Sequence, residues 1–417
     1  MIDTTASRDS APPKSSARDA VTCQVLESFE DLAPLAREWD AVVQATGSTV
    51  YMTFDWIRVW WKFYGRRSSL RLFLFHRGSD LVAVLPIYIQ RLGFGPFQLR
   101  IARLVGANIP PKVFDPPVPV DSAPRVFELL LEKLFGDRLC DFLSFGPFSD
   151  LHRSAFELTE ASRRFTRHGL LASCDADDVH TIFRLPRDME EYFASLSKNE
   201  RKNRRKYELR SLEKEHSVRE DCVTEPADVG VEFDAFAVQH ARQWAEQGKP
   251  GHFGSWPLAL EYNRALVDAQ ARRGRVRFLR IHAGDQVVSR QYAFALGQSL
   301  AWELPSREIG DAWERFSLGP TGIVRMLAYG IDEGLSRVEG GLAHYDYKLR
   351  LGATEHPVHT IRVSADLPGT RMRVALWSAL RRVVRLVYHK VWYRRIQPHL
   401  PPVFRRPQPF FWLRLDF

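Results

Sequence analysis

Apolar and polar positions along the chain follow two periods, and the same order of periods occurs twice. Segments 71–85 and 277–290 alternate with period two on either side of a Gly/Asp turn, the pattern of a β-hairpin. Each is followed by an apolar strand pattern (98–105 and 299–304) and then a helical one (123–135 and 321–333). Gly136 and Gly334 close those helices, and short strands follow at 140–145 and 336–339. Two helical patterns precede each hairpin, at 31–44 and 54–64 and again at 231–246 and 257–273. This common order predicts an internal duplication: two α/β units, with mixed sheets and helices on their faces. The expected organisation is a disordered N-terminus over 1–20, units at 21–180 and 181–365, and a separate tail over 366–417.

A chain of 417 residues is long for one core and comfortable for two. The apolar share of 45% and the aromatic share of 12% mark it as well filled rather than disordered. Cys23, Cys140, Cys174 and Cys222 form no CxxC pair, so free thiols in a reducing cytoplasm are expected. His356 and His359 stand alone, without a partner set for a tetrahedral site, and no metal is expected. Segment 1–20 has no signal-peptide core, and no apolar run approaches membrane-spanning length. A cytoplasmic protein follows, soluble or peripheral at the inner membrane face.

The net charge of +9 is concentrated at one end. From Thr370 onward eleven Lys and Arg face a single acid, Asp416, which leaves the rest close to neutral. Global basicity is therefore no sign of nucleic acid as a partner. In the tail, Leu376, Leu380, Val383, Val384, Val387 and Val391 recur at helical spacing among Arg381, Arg382, Arg385, Lys390, Arg394 and Arg395. Trp392, Tyr393, Phe404, Phe410, Phe411 and Trp412 continue beyond them, broken by prolines. A basic amphipathic helix with aromatics suits an anionic membrane surface through 370–417. The alternative is a helix docked on the body with its cations in water. A second basic run, Lys198 to Lys206, holds six cations and one acid in nine positions and is expected to be helical. It is either a solvated helix balanced by Glu208, Glu213 and Glu215 or a grip on an anion. Its lack of interleaved aromatics speaks against RNA.

The chemistry concentrates in the second unit. Ser317-Leu318-Gly319-Pro320-Thr321-Gly322 opens a helical pattern. Gly319 and Gly322 let backbone approach a phosphate, and Ser317 or Thr321 could cap the helix. An ordinary helix start with Pro320 in its first turn reads equally well. Tyr345, Tyr347 and Lys348 crowd the end of the next strand, where Lys348 would neutralise a phosphate or orient a carbonyl. Glu303 and Glu339 are acids inside apolar strands. Burial would raise either carboxyl and suit it to accept a proton, unless Arg290 or Arg337 pairs with it. His240, four residues before Trp244 on an amphipathic helix, reads as a packed histidine. The set meets the needs of acyl transfer from a phosphate-tethered thioester: a held pyrophosphate, a stabilised oxyanion and a deprotonated nucleophile. No Cys or Ser sits in a nucleophile elbow, so direct attack by the acceptor is expected.

In order and spacing the chain resembles the tandem GNAT (acyl-CoA N-acyltransferase) proteins, specifically the cellulose-biosynthesis-type acetyltransferase family of bacteria. The resemblance spans about 25–363. It rests on Phe54-Asp55-Trp56 with Trp60-Trp61, on His240-Ala241-Arg242-Gln243-Trp244 with Gly251-His252-Phe253, on Ser317 to Gly322, and on Tyr347-Lys348. The chain departs from the GNAT signature at Phe316, where Arg or Gln is usual, and at Thr321. The resemblance implies an α/β fold of tandem GNAT-like domains, followed here by the basic C-terminal helix. It also implies acetyl-CoA or another acyl-CoA as co-substrate, and N- or O-acylation of a small-molecule or glycan acceptor in surface-polysaccharide synthesis. Tyr347 would protonate the leaving thiolate. The first unit, with Gly and Pro over 105–111, is expected to wall the acceptor cleft. Two rivals share these features. One is a Fem-type transferase taking aminoacyl groups from tRNA, with 198–206 facing RNA. The other is a non-catalytic scaffold recruited to a membrane complex by the tail.

Overall fold

Twelve strands pair into one sheet in the computed structural model, which describes residues 20–401 except 108, 111, 166–168, 247, 250, 397 and 398. In chain order they are β1 (Val21–Leu26), β2 (Ser68–Arg77), β3 (Asp80–Leu92), β4 (Leu99–Leu104), β5 (Phe142–Ser149) and β6 (Leu170–Arg184). There follow β7 (Val218–Val223), β8 (Val276–Ala283), β9 (Gln286–Leu296), β10 (Ser299–Arg307), β11 (Arg337–Leu342) and β12 (Thr354–Ala365). Across the sheet they lie β1-β2-β3-β4-β5-β12-β6-β11-β10-β9-β8-β7. The expected hairpins are β2–β3 and β8–β9, both antiparallel. Each half runs inward from an edge and ends on a parallel pair, β4–β5 in the first and β10–β11 in the second. The halves then exchange strands at the centre: β12, last in sequence, sits between β5 and β6.

Both parallel ladders are short. β4 and β5 pair only over Ile101–Arg103, and β10 and β11 only over Ser299–Ala301. Beyond those points the strands part and leave a wedge. In the first half the chain fills its own wedge. Phe114 donates its N–H to the Pro147 carbonyl at 2.7 Å, and its ring lies 2.6 Å from where a Cβ on Gly106 would stand. Only glycine admits that ring, and Gly106 also has φ +97°. The second wedge holds the site described below.

Helix Phe54–Tyr64 starts behind Thr53, in extended conformation, and buries Trp56, Ile57 and Trp60 on one face. Each such side chain contributes about 1.5–3 kcal/mol of transfer free energy. Trp56 meets Phe294 of β9 edge-on at 5.2 Å. Tyr64 donates to the Pro257 carbonyl at 2.9 Å, Arg273 pairs with Asp55 at 2.8 Å, and Arg275 with Asp40 at 2.6 Å. The first half thereby packs against the second along their shared sheet.

The basic run is not one helix. It forms two short pieces, Lys198–Arg201 and Arg204–Tyr207. After β12 a helix covers Pro368–Val384, and Arg385–Ile396 continues in wider turns. Val374 and Trp377 pack on Leu92, Leu99, Ile101 and Phe142. Among the described residues no helix is long and apolar enough to cross a membrane. Residues 1–19 and the aromatics Phe404, Phe410, Phe411 and Trp412 lie outside the described residues.

Candidate active site

Where β10 and β11 part, a cleft of about 410 Å³ opens against the start of helix Leu318–Asp332. β10 turns away through a bulge: its register against β9 shifts between Trp302 and Leu304, which makes Glu303 the extra residue. A bulge bends its strand and frees backbone groups from the ladder, a common device beside active sites. Trp302, Pro305, Ile323 and Leu351 give the cleft apolar walls, while Lys206 and Arg350 line it with cations.

The helix start lies on the cleft. Ser317, in the left-handed region at φ +52°, precedes the first helical turn, and Thr321 donates its N–H back to the Ser317 carbonyl at 3.1 Å. The N–H groups of Leu318 and Gly319 fall in the first turn, where a helix has no internal acceptor for them. Lys206 Nζ lies 3.5 Å from Ser317 Oγ, and the Arg307 guanidinium stands beside Gly319. Backbone donors and cations thus converge where an anion would sit. Of the four expected cradle residues, Ser317 and Gly319 line the cleft. Thr321 and Gly322 are buried: Thr321 Oγ1 donates to the Phe316 carbonyl at 3.3 Å, and Gly322 is pressed against Gln291 and Ser289 of β9.

Tyr347 lies on helix Asp346–Arg350, which follows β11, and also lines the cleft. Burial first, and the neighbouring Tyr345 second, push its phenol up to about 12, so it holds its proton at neutral pH. Lys348 is buried beside it and donates from Nζ to the Gly340 carbonyl at 2.7 Å. Gly340 is the first residue of β11 beyond the last parallel pair, so this ammonium closes the base of the wedge. The rings of Tyr345 and Trp302 lie 4.6 and 5.8 Å from it. Burial brings the Lys348 ammonium down to about 8, against the opposing pull of Glu355 and Asp178.

Glu303 and Glu339 face the first half rather than the cleft. Glu303 pairs with Lys112, not with Arg290, which pairs with Glu232 at 2.7 Å. Buried Tyr51 feels both acids: burial first, and the charges of Glu303 and Glu339 next, hold its phenol well above the ordinary value. Tyr292 and Tyr262 are held up in the same way, by burial and then by neighbouring groups that include Glu303. Glu339 accepts from Ser299 Oγ at 2.9 Å and pairs with Arg337 at 3.1 Å, and its buried Oε2 has no hydrogen-bond partner among the described residues. Sequence reasoning missed Tyr51 and Lys112. Lys112 lies 191 residues from Glu303, and nothing local in the Pro-rich loop announces it.

His240 is a packed histidine. Its Nδ1–H donates to the Pro305 carbonyl at 3.0 Å, which leaves Nε2 to accept from His252 Nδ1 at 3.0 Å. Burial holds both imidazoles down at about 4.

Residues 199–349 match the family model described as an acetyltransferase (GNAT) domain. That span contains Glu303, Ser317, Gly319, Thr321, Gly322, Glu339, Tyr347 and Lys348. Among solved structures, FemX aligns with a TM-score of 0.57 at 10% identity, over 81% of this chain and 96% of its own. The C-terminal domain of a putative lysylphosphatidylglycerol synthetase from Agrobacterium fabrum aligns at 0.47 and 11% identity, over 85% and 96%. A tandem GNAT protein from the clavulanic acid biosynthesis pathway aligns at 0.38 and 12% identity, over 82% and 98%. No curated protein matches the sequence. The fold is GNAT-like, with the matched domain holding the open wedge.

Proposed function

We propose that the chain is an acyl-CoA-dependent acyltransferase acting on an amine or hydroxyl acceptor. One observation carries this reading: the β10–β11 pair parts directly against a helix N-terminus flanked by Lys206, Arg307 and Arg350. Phosphates of the donor would meet the first-turn N–H groups and these cations. The apolar arm would run along Trp302 and Pro305 toward the bulge, where backbone freed from the ladder can stabilise the carbonyl oxygen as it gains charge. The acceptor attacks that carbonyl, the C–S bond breaks, and Tyr347 gives its proton to the departing thiolate. Glu303 or Glu339, on the side toward the first half, takes the acceptor's proton. Lys348 braces the wedge from its base. The motifs shared with cellulose-biosynthesis-type acetyltransferases support a glycan acceptor in surface-polysaccharide synthesis, and four free cysteines fit a cytoplasmic site.

A Fem-type aminoacyl-tRNA-dependent reaction is the second reading. It is favoured by the cations of 198–206, which end at the cleft with Lys206. The two separate in one assay: thiol release from acetyl-CoA against amino sugars, sugar alcohols and amino acids, beside consumption of aminoacyl-tRNA. Thiol release lowered about 10²–10⁴-fold in Tyr347→Phe and Glu303→Gln supports the proposal. Consumption of aminoacyl-tRNA without thiol release overturns it in favour of the second reading. Inertness toward both donors overturns both and leaves the scaffold.

A further inference from the structure

Helix Pro368–Val384 uses two faces differently. Val374 and Trp377 are docked on the body. Met372, Leu376, Leu380 and Val383 are exposed, and Val387 and Val391 extend the same series in the turns that follow. Steps of four, four, three, four and four keep all six on one side of the helix. An amphipathic helix ordinarily turns such a stripe to a core; this one turns it to solvent.

A second element stands beside it. The turn between β3 and β4 carries Phe94, 83% exposed, and Phe97, half exposed. The Trp377 indole N–H donates to the Phe97 carbonyl at 2.9 Å, and the Trp377 ring lies over Gly93. Turn and helix are thereby fixed side by side, with aromatics on one and an aliphatic stripe on the other. From Pro368 to Ile396 the chain has eight Arg and Lys and no acid. Arg382, Lys390 and Arg395 are exposed along this stretch.

We propose that this composite surface docks the protein on an anionic lipid bilayer, with Phe94, Phe97 and the stripe from Met372 to Val391 entering the interface and the cations meeting lipid headgroups. Apolar burial and headgroup attraction both reward that occupant. A second copy of the chain is the poorer fit, because closing two such surfaces on each other brings the exposed Arg382, Lys390 and Arg395 of both copies together, and the acids beside this helix, Asp366 and Asp141, already pair with Arg371 and Arg373. The proposal is independent of the acyl donor, since the cleft and this surface share no residue.

The test uses the full chain and sedimentation with phosphatidylcholine vesicles, with and without phosphatidylglycerol. The wild type is expected to pellet with the phosphatidylglycerol vesicles and to be released by high salt. The double substitution Leu376→Glu/Leu380→Glu, and separately Phe94→Ser, should each weaken binding by roughly tenfold or more at unchanged melting temperature. Both change exposed side chains, so folding is retained. Wild-type protein that stays in the supernatant with both vesicles, or variants that bind as well as wild type, would overturn the proposal. So would light scattering showing a dimer that Leu376→Glu/Leu380→Glu dissolves while vesicles leave the protein free.

Discussion

Lys112 of the first half pairs with Glu303 Oε2 of the second, with the Tyr51 ring 5.3 Å from the Lys112 ammonium. The residue that departs from the β10 ladder is thus held by the half that lacks an open wedge. The first half reaches the bulge through this contact, while the residues that line the cleft all belong to the second half.

Both partners of that pair are largely buried, with side chains 16% and 5% exposed. Lys112→Met should cost on the order of 3 kcal/mol in urea unfolding, because it strands a buried carboxylate. Adding Glu303→Leu should restore most of the loss. A neutral Lys112→Met would show that the pair does not join the halves.

Two glycines of one motif should behave oppositely. A Cβ at Gly322 would collide with the Gln291 amide and come within 2.8 Å of Ser289 Oγ, whereas at Gly319 the nearest atom, in Arg307, is 3.5 Å away. Gly322→Ala should destabilise by about 1–3 kcal/mol. Gly319→Ala should be neutral, or stabilising by up to about 1 kcal/mol. Thermal melts of the two variants decide it.

The histidine pair gives the fold an acid limit. His240 and His252 titrate at about 4 when folded against an ordinary 6.5. As pH falls below 6.5 the unfolded chain binds protons that the native state refuses. Stability therefore falls between pH 6.5 and 4, and levels off below. Denaturation across that window should show a loss on the order of 3 kcal/mol for each of the two imidazoles, reduced in His240→Gln.

Lys348 acts at the other end of the scale. Its folded value of about 8 lies below the ordinary 10.5, so between those values the unfolded chain holds a proton that the native state has released. Wild-type stability should rise relative to Lys348→Met as pH goes from 8 to 10.5, by roughly 3 kcal/mol. A constant difference between the two proteins would contradict the burial of this ammonium.

Legibility in the sequence followed locality. The hairpins β2–β3 and β8–β9 and the helices flanking them could be read, because each buries one face and keeps a clean period. Strands β6 and β12 could not. Over Cys174–Asp178 β6 is exposed and polar, and only backbone pairing with β12 makes it a strand, so no apolar period marks it in the sequence. Within the site, Ser317, Gly319 and Tyr347 were legible because a turn and a strand end declare themselves over a few residues. Thr321 and Gly322 belong to the same motif, yet the helix lies on β9 and buries them. Tyr51 and Lys112 reach Glu303 only through the packing of one half on the other, which no local pattern encodes.

The most direct test is calorimetric titration of the protein with coenzyme A and acetyl-coenzyme A, with Gly319→Trp and Tyr347→Phe alongside. Binding in the micromolar range is predicted for wild type and Tyr347→Phe, and its loss in Gly319→Trp, whose indole would fill the cleft at unchanged fold. Absence of binding by wild type, or undiminished binding by Gly319→Trp, would contradict the placement of an acyl donor between β10 and β11.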